Sequence, residues 1–151
     1  MMDRKRGFEV VAAYGKKNIL LPQRKTGGSA GYDFAAAEAV LVAPRAVALI
    51  PTGIKAYMQA GEYLGLHIRS GLSVKKKLML INGQGVIDAD YYNNADNEGH
   101  IMVAVYNPTD EAVAIEAGER IAQGIFYRYL LADEDENNVA VRQGGFGSTG
   151  R

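Results

Sequence analysis

The chain contains no cysteine, which removes disulfides, thiolate nucleophiles and cysteine-based metal sites together and favours a reducing compartment. Only two histidines occur, His67 and His100, too few for a histidine-rich metal cluster. Net charge is missing as well: seventeen basic and seventeen acidic residues cancel, so no global field draws in a polynucleotide or an anionic membrane, and any anion must be bound by local groups. No apolar run approaches membrane-spanning length, and the charged start Met1-Met2-Asp3-Arg4-Lys5-Arg6 lacks an apolar stretch long enough for a signal peptide. The expectation from these absences is a soluble, cytoplasmic protein that partners neither nucleic acid nor membrane. At 151 residues it has room for one domain with a real core.

The apolar runs are short, rich in Val, Ile and Tyr, and broken by Gly, Pro or Asn about every eight to twelve residues, the pattern of an all-β sandwich or barrel. Candidate strands are Phe8–Tyr14, Val40–Val42, Ala46–Ile50, Gly53–Tyr57, Tyr63–Ile68, Leu78–Ile81, Gly85–Asp88, His100–Tyr106, Ala112–Ile115, Arg120–Tyr129 and Asn138–Val141. They predict an all-β, jelly-roll-like β-barrel. Gly71–Lys77 is the one stretch spaced for a helical turn, and flanking strands keep that helix short. The Gly-rich segment from Arg142 to Arg151 has little core-forming material, and reads as a flexible lid on a domain spanning residues 1–141.

Four stretches combine glycine with charged or hydroxylated residues, and glycine there lets backbone N–H groups approach an anion. Gly27-Gly28-Ser29-Ala30-Gly31-Tyr32-Asp33-Phe34, read alone, is a tight turn entering a strand with Asp33 capping the turn. Arg69-Ser70-Gly71-Leu72-Ser73 sits where a strand passes into the short helix, so amides, a guanidinium and a hydroxyl form an anion site, or else Ser70 merely caps the helix. Asn82-Gly83-Gln84-Gly85-Val86-Ile87-Asp88-Ala89-Asp90-Tyr91 places Asp88 at the end of an apolar strand, partly desolvated, where a carboxylate serves as a general base. Alternatively, Asp88 and Asp90 simply open a solvated hairpin through Tyr92 to Gly99. In the tail, Arg142-Gln143-Gly144-Gly145-Phe146-Gly147-Ser148-Thr149-Gly150, no lysine precedes the hydroxyl residues, which excludes a Walker A loop. Its lone Phe146 suits stacking on a planar ligand. The run Lys75-Lys76-Lys77 reads as a solvated face.

Together with Gly118–Gln123, and in chain order, these stretches resemble the five motifs of the trimeric dUTPase family. Ala30-Gly31-Tyr32-Asp33 is similar to the first, Arg69-Ser70-Gly71-Leu72 to the second, Gly85-Val86-Ile87-Asp88-Ala89-Asp90-Tyr91 to the third, Gly118-Glu119-Arg120-Ile121-Ala122-Gln123 to the fourth, and Gly144-Gly145-Phe146-Gly147-Ser148-Thr149-Gly150 to the fifth. The resemblance implies a dUTP pyrophosphatase that yields dUMP and pyrophosphate, limits uracil in DNA and supplies dUMP for thymidylate synthesis. It further implies a homotrimer with each active site built at subunit interfaces, one subunit giving the third motif, a second the phosphate contacts and the third its tail.

By the same resemblance Asp88 activates water for attack on the α-phosphorus. Tyr91 packs against the deoxyribose and excludes a 2′-hydroxyl, while Asn82 and the backbone near Met102 read the uracil edge. Arg69, Ser70, Gly71 and Gln123 bind phosphates, Arg142 clamps the γ-phosphate, and Phe146, with Gly147 and Ser148, closes over the nucleotide. Mg2+ is implied as cofactor, held through substrate oxygens and water with Asp33 nearby.

Two departures stand out. Val141 occupies the place where the family's fifth motif has its arginine, and Arg142 lies one residue nearer Phe146. Tyr92 follows Tyr91 where Arg-Gly is usual, and a polar loop runs to Gly99, a longer hairpin resembling that of some Gram-positive bacterial and phage members. Two other readings compete: a dCTP deaminase of the same fold, which would need a glutamate-centred site, and a non-catalytic jelly-roll interaction module, which would have no use for Asp88.

Overall fold

A computed structural model describes residues 3–135, 142, 144 and 145. Eleven strands alternate with tight turns among these residues: β1 Gly7–Val10, β2 Tyr32–Ala35, β3 Val40–Val42, β4 Val47–Pro51, β5 Ile54–Tyr57, β6 Glu62–Ile68, β7 Met79–Leu80, β8 Gly85–Asp88, β9 Met102–Tyr106, β10 Val113–Ile115 and β11 Arg120–Arg128. One α-helix, α1 (Ser70–Lys76), and two single 3-10 turns at Ala12–Tyr14 and Ala89–Tyr91 complete the inventory. Helix α1 stops where Lys77 adopts the left-handed conformation (φ 59°), one residue before the expected end.

All pairings are antiparallel. The largest sheet has the order β2-β11-β6-β8, and smaller ones run β4-β9-β7, β1-β5 and β10-β3. They wrap one core in the expected jelly-roll-like way, although the ladders among the described residues stay as four sheets and do not close into a continuous barrel. Inward side chains alternate with exposed ones, as in β9, where Val103 and Val105 are fully buried between half-buried neighbours. Phe34, Ile50, Leu64, Leu78, Ile101 and Ile121 fill the centre. Each such side chain contributes about 1.5–3 kcal/mol by leaving water.

Three expectations change. The strand expected over Phe8–Tyr14 ends at Val10, because Val11 turns inward, its amide donates to the Gly53 carbonyl (2.9 Å), and the Tyr14 amide folds back on the Val11 carbonyl (2.9 Å). Tyr32–Ala35 is a strand, and Asp33 lies within it opposite Gln123 instead of capping a turn. That position tolerates a carboxylate because cationic side chains meet it, as described below. The strand expected from His100 begins only at Met102. The expected strand Asn138–Val141 lies outside the described residues.

Strand β6 organises the rest. Its residues 63–66 pair with β8, placing Tyr63 opposite Asp88, while Glu62–Ile68 pair with β11 along the other edge and the chain then runs through Arg69 into α1. The third stretch therefore runs alongside β6 with Asp88 beside its start, whereas Arg69 and Ser70 follow its end.

Candidate active site

The third stretch builds a pocket of about 200 Å³, lined by Asn82, β8, Tyr91, Met102 and, from the tail, Arg142 and Gly145. This is below the roughly 300–1,000 Å³ usual for a small-molecule site. Asp88 forms the last position of β8 and keeps 50% of its side-chain surface accessible, more than the expected partial desolvation. The alternation along β8 explains this, since Val86 and Asp88 share the outward face. Asp90 follows in the 3-10 turn.

Arg142 bridges the two carboxylates. Its Nη2 donates to Asp88 Oδ2 (2.5 Å), its Nε to Asp90 Oδ1 (2.7 Å) and its Nη1 to the Gly144 carbonyl (3.0 Å). The guanidinium also lies 5.9 Å from the centre of the Tyr91 ring. Gly145 packs so tightly on Tyr91 that an added Cβ would come within 2.7 Å of the ring. Thus the described tail residues rest on the Asp88 and Tyr91 of their own chain, whereas the family resemblance implies a tail from a third subunit. Phe146, Gly147 and Ser148 lie outside the described residues.

Tyr91 is buried, and burial pushes its hydroxyl pKa above the ordinary value. The hydroxyl donates to the His100 carbonyl (2.6 Å) and accepts from Asn97 Nδ2 (2.8 Å). His100 itself is held below the ordinary histidine pKa, chiefly by burial, with Glu38 and Glu98 pulling the other way. Its Nε2 accepts from the Gly53 amide (2.9 Å).

The loop beyond Tyr91 is tied to the N-terminal sheet by a charged cluster. Lys55 Nζ, almost wholly buried on β5, reaches Glu98 Oε1 and Asn93 Oδ1, both at 2.7 Å, and lies 3.8 Å from Glu9 Oε2. The Tyr92 hydroxyl donates to Glu9 (2.6 Å), and Glu98 Oε2 accepts from the Ala12 amide (3.0 Å).

A second pocket forms elsewhere, where β2 and β11 meet the start of α1, lined by Lys25, Ser29, Gly31, Asp33, Arg69, Ser70 and Gln123. Asp33 Oδ1 lies 3.7 Å from Arg69 Nε, and its Oδ2 accepts from Arg120 Nη1 at 3.2 Å. The carboxylate therefore faces two guanidiniums, holding them at the pocket wall. Gly31 is required by close approach: a Cβ there would meet Gln123 Oε1 at 2.4 Å. Gly71 follows Ser70 in the first turn of α1 without lining this pocket.

The two pockets share no lining residue. The structure brings together Asn82, Asp88, Tyr91, Met102 and Arg142 in one place, and Arg69, Ser70 and Gln123 in another, so a single chain presents two partial sites. Arg120, Lys25 and Asn97 were not singled out from sequence. Arg120 had a signal, three residues before Gln123 on the same strand, but a lone lysine and an asparagine in a polar loop look like ordinary surface.

Comparison with known proteins identifies the family of the chain. The dUTPase family model matches residues 17–150. The deoxyuridine 5'-triphosphate nucleotidohydrolase of Lactococcus lactis is 58% identical over 146 residues, covering 96% of this chain and 97% of the relative. Among solved structures, the dUTPase from Streptococcus mutans is similar with a TM-score of 0.80 and 53% identity, covering 84% of this chain and 98% of that one. A Staphylococcus bacteriophage 80alpha dUTPase with dUpNHpp is similar at a TM-score of 0.70 and 25% identity, over 99% of this chain and 100% of that one. A match over nearly the whole chain that takes in both partial sites leaves one assignment: the chain belongs to the dUTPase family.

Proposed function

We infer that this chain hydrolyses dUTP to dUMP and pyrophosphate, with Asp88 as the base that activates water. The observation that carries this reading is the single pocket that Asp88, Tyr91, Asn82 and Met102 line together with Arg142. Asp88 takes the proton of a water whose oxygen bonds to the α-phosphorus as the bond to pyrophosphate breaks. Half its surface is open, so water and nucleotide both reach it. Asn82 and the backbone at the start of β9 contact the uracil edge, and the Tyr91 ring lies against the deoxyribose where a 2′-hydroxyl would collide.

Arg69, Ser70, Gly71 and Gln123 take the phosphates, with Arg69 held by Asp33. Because their pocket lies apart from Asp88 in one chain, a complete site joins the Asp88 pocket of one subunit to the Arg69 pocket of another, in a homotrimer. Arg142, now on Asp88 and Asp90, clamps the γ-phosphate once a nucleotide supplies a competing anion. We extend the tail reading to Phe146, Gly147 and Ser148 as the segment that closes the site.

Magnesium would be carried in on the nucleotide. No three His, Cys, Asp or Glu side chains converge as a cage among the described residues, and Asp33 is committed to Arg69 and Arg120. Bound through phosphate oxygens and water, the ion would neutralise charge that builds as pyrophosphate leaves.

The test is pyrophosphate release from dUTP, dTTP, dCTP and UTP by the wild type and by Asp88→Asn. Preference for dUTP is expected, and the variant should bind dUTP while turning it over about 10²–10⁴-fold more slowly. Near-normal turnover would remove Asp88 from the mechanism.

A further inference from the structure

We propose that Asn97 is a positioning residue that sets sugar discrimination by steering the Tyr91 ring. The inference rests on the reading of Tyr91 as the deoxyribose contact and adds a residue of the extended loop to it.

Both hydrogen-bonding functions of the Tyr91 hydroxyl are taken by its own loop. The hydroxyl gives its proton to the His100 carbonyl (2.6 Å) and accepts from Asn97 Nδ2 (2.8 Å). The orientation of the Asn97 amide is itself determined. Its Oδ1 accepts from the Gly99 amide (3.0 Å) and from Asn94 Nδ2 (2.7 Å), so a flipped amide would set donor against donor at both contacts. Nδ2 must therefore face Tyr91. Asn94 closes the circuit: its Nδ2 also donates to the Tyr91 carbonyl (2.8 Å), and its Oδ1 accepts from the amides of Asp96 (3.0 Å) and Asn97 (3.1 Å). Asn94 is buried. Tyr91 is thus gripped at its backbone by one asparagine and at the far end of its ring by the other.

This grip matters for selectivity because exclusion of a 2′-hydroxyl is steric, and a ring that tilts by a fraction of an ångström gives way to one extra oxygen. A hydroxyl occupied on both sides also has no proton to offer a ribose 2′-oxygen, so Tyr91 meets the sugar as a wall and not as a hydrogen-bonding partner. Asn97 supplies the lateral fixation that keeps the wall in place.

Asn97→Asp separates the steering role from the loop-holding role. The remaining oxygen still accepts from Gly99 and Asn94, while the group facing Tyr91 changes from donor to acceptor and competes with the His100 carbonyl for the hydroxyl proton. The ratio of kcat/KM for dUTP to that for UTP is expected to narrow roughly tenfold, the size of one lost hydrogen bond. Tyr91→Phe severs the same link from the other side, so it should narrow the ratio by a similar factor, and adding Asn97→Asp to it should have no further effect. If Asn97→Asp fails to fold, Asn97→Ala carries the test: it removes the Nδ2 donor but leaves the Tyr91 hydroxyl on the His100 carbonyl, and the dUTP-to-UTP ratio should still narrow. Tyr91→Phe, which breaks both bonds, serves only as the partner in the double-variant comparison.

A purely structural role for Asn97 predicts otherwise: both substrates lose kcat/KM equally, melting temperature falls, and the loss persists in the Tyr91→Phe background. That result overturns the proposal. Tyr91→Ala separates the two layers. If it leaves the dUTP-to-UTP ratio unchanged, the sugar-reading role of Tyr91 falls and the role of Asn97 falls with it. If it narrows the ratio while neither Asn97→Asp nor Asn97→Ala does, only the steering role of Asn97 is lost.

Discussion

Replacing Lys55 by methionine tests whether the long loop after Tyr91 is held by charge. Methionine preserves the stem volume and removes the ammonium group. In the folded chain the Lys55 side chain is 10% exposed, and its ammonium contacts Glu98 and Asn93 at 2.7 Å each and sits 5.1 Å above the Tyr92 ring. Removing it strands Glu98 and Glu9, but these carboxylates keep 36% and 28% of their side-chain surface and retain other donors: the Ala12 amide for Glu98, and Arg4 and Tyr92 for Glu9.

Breaking a fully buried pair costs about 3–5 kcal/mol and a surface pair about 0–1, so partial accessibility places this loss near 2 kcal/mol. At about 2–4 °C per kcal/mol for a domain of this size, the melting temperature should fall by about 4–8 °C at neutral pH. The effect has a definite pH dependence. Glu98 is held below the ordinary carboxylate pKa, first by its hydrogen bond to Lys55 and then by the Ala12 amide. A depressed carboxylate contributes stability above its unfolded pKa and loses it as pH falls through the folded value, so the gap between wild type and variant should close below about pH 4. Calorimetry at equal protein concentration across that range is the assay. Equal melting temperatures at pH 7, or a gap that persists unchanged in acid, would refute a charge-held loop.

Three further outcomes are expected. His100 has a pKa below its ordinary 6.5 through burial, so the stability it contributes is present above that value and is lost as pH falls through it towards the folded pKa; His100→Gln should flatten the decline in melting temperature as pH falls below 6.5, and parallel curves would remove His100 as the cause. If complete sites pair the Asp88 pocket of one subunit with the Arg69 pocket of another, Asp88→Asn and Arg69→Ala chains mixed under subunit exchange should recover part of the lost dUTP hydrolysis. No recovery in mixed oligomers verified by native mass spectrometry would mean that each site is self-contained. Deleting residues 142–151 removes Arg142 from Asp88 and Asp90 and Gly145 from the Tyr91 ring, so dUTP turnover should drop sharply while melting temperature falls by only a few degrees, and a collapse of the fold would show the tail to be structural.

Much of the architecture was readable along the chain because strand periodicity and turn residues are local signals. Val40–Val42 and Gly85–Asp88 fall where their apolar runs place them, and α1 differs from its expected span by one residue at each end. The stretches likewise mark the family through their resemblance to its motifs, and that resemblance, not their spacing alone, supplied the candidate residues. Tyr32–Ala35 escaped because Gly31 and Asp33 look like turn residues, and only pairing with β11 and two arginines from distant positions makes a strand there stable. The extended loop was legible as a departure, but its purpose was not. Tyr91, Asn94, Asn97 and His100 are neighbours in sequence, yet their hydrogen bonds depend on a loop path fixed by Lys55, Glu9 and Ala12, up to 86 residues away. That Arg69, Ser70 and Gln123 line a pocket apart from Asp88 was implied by the family resemblance, but residue order alone does not give it, since distance between side chains is set by the path of the strands in space.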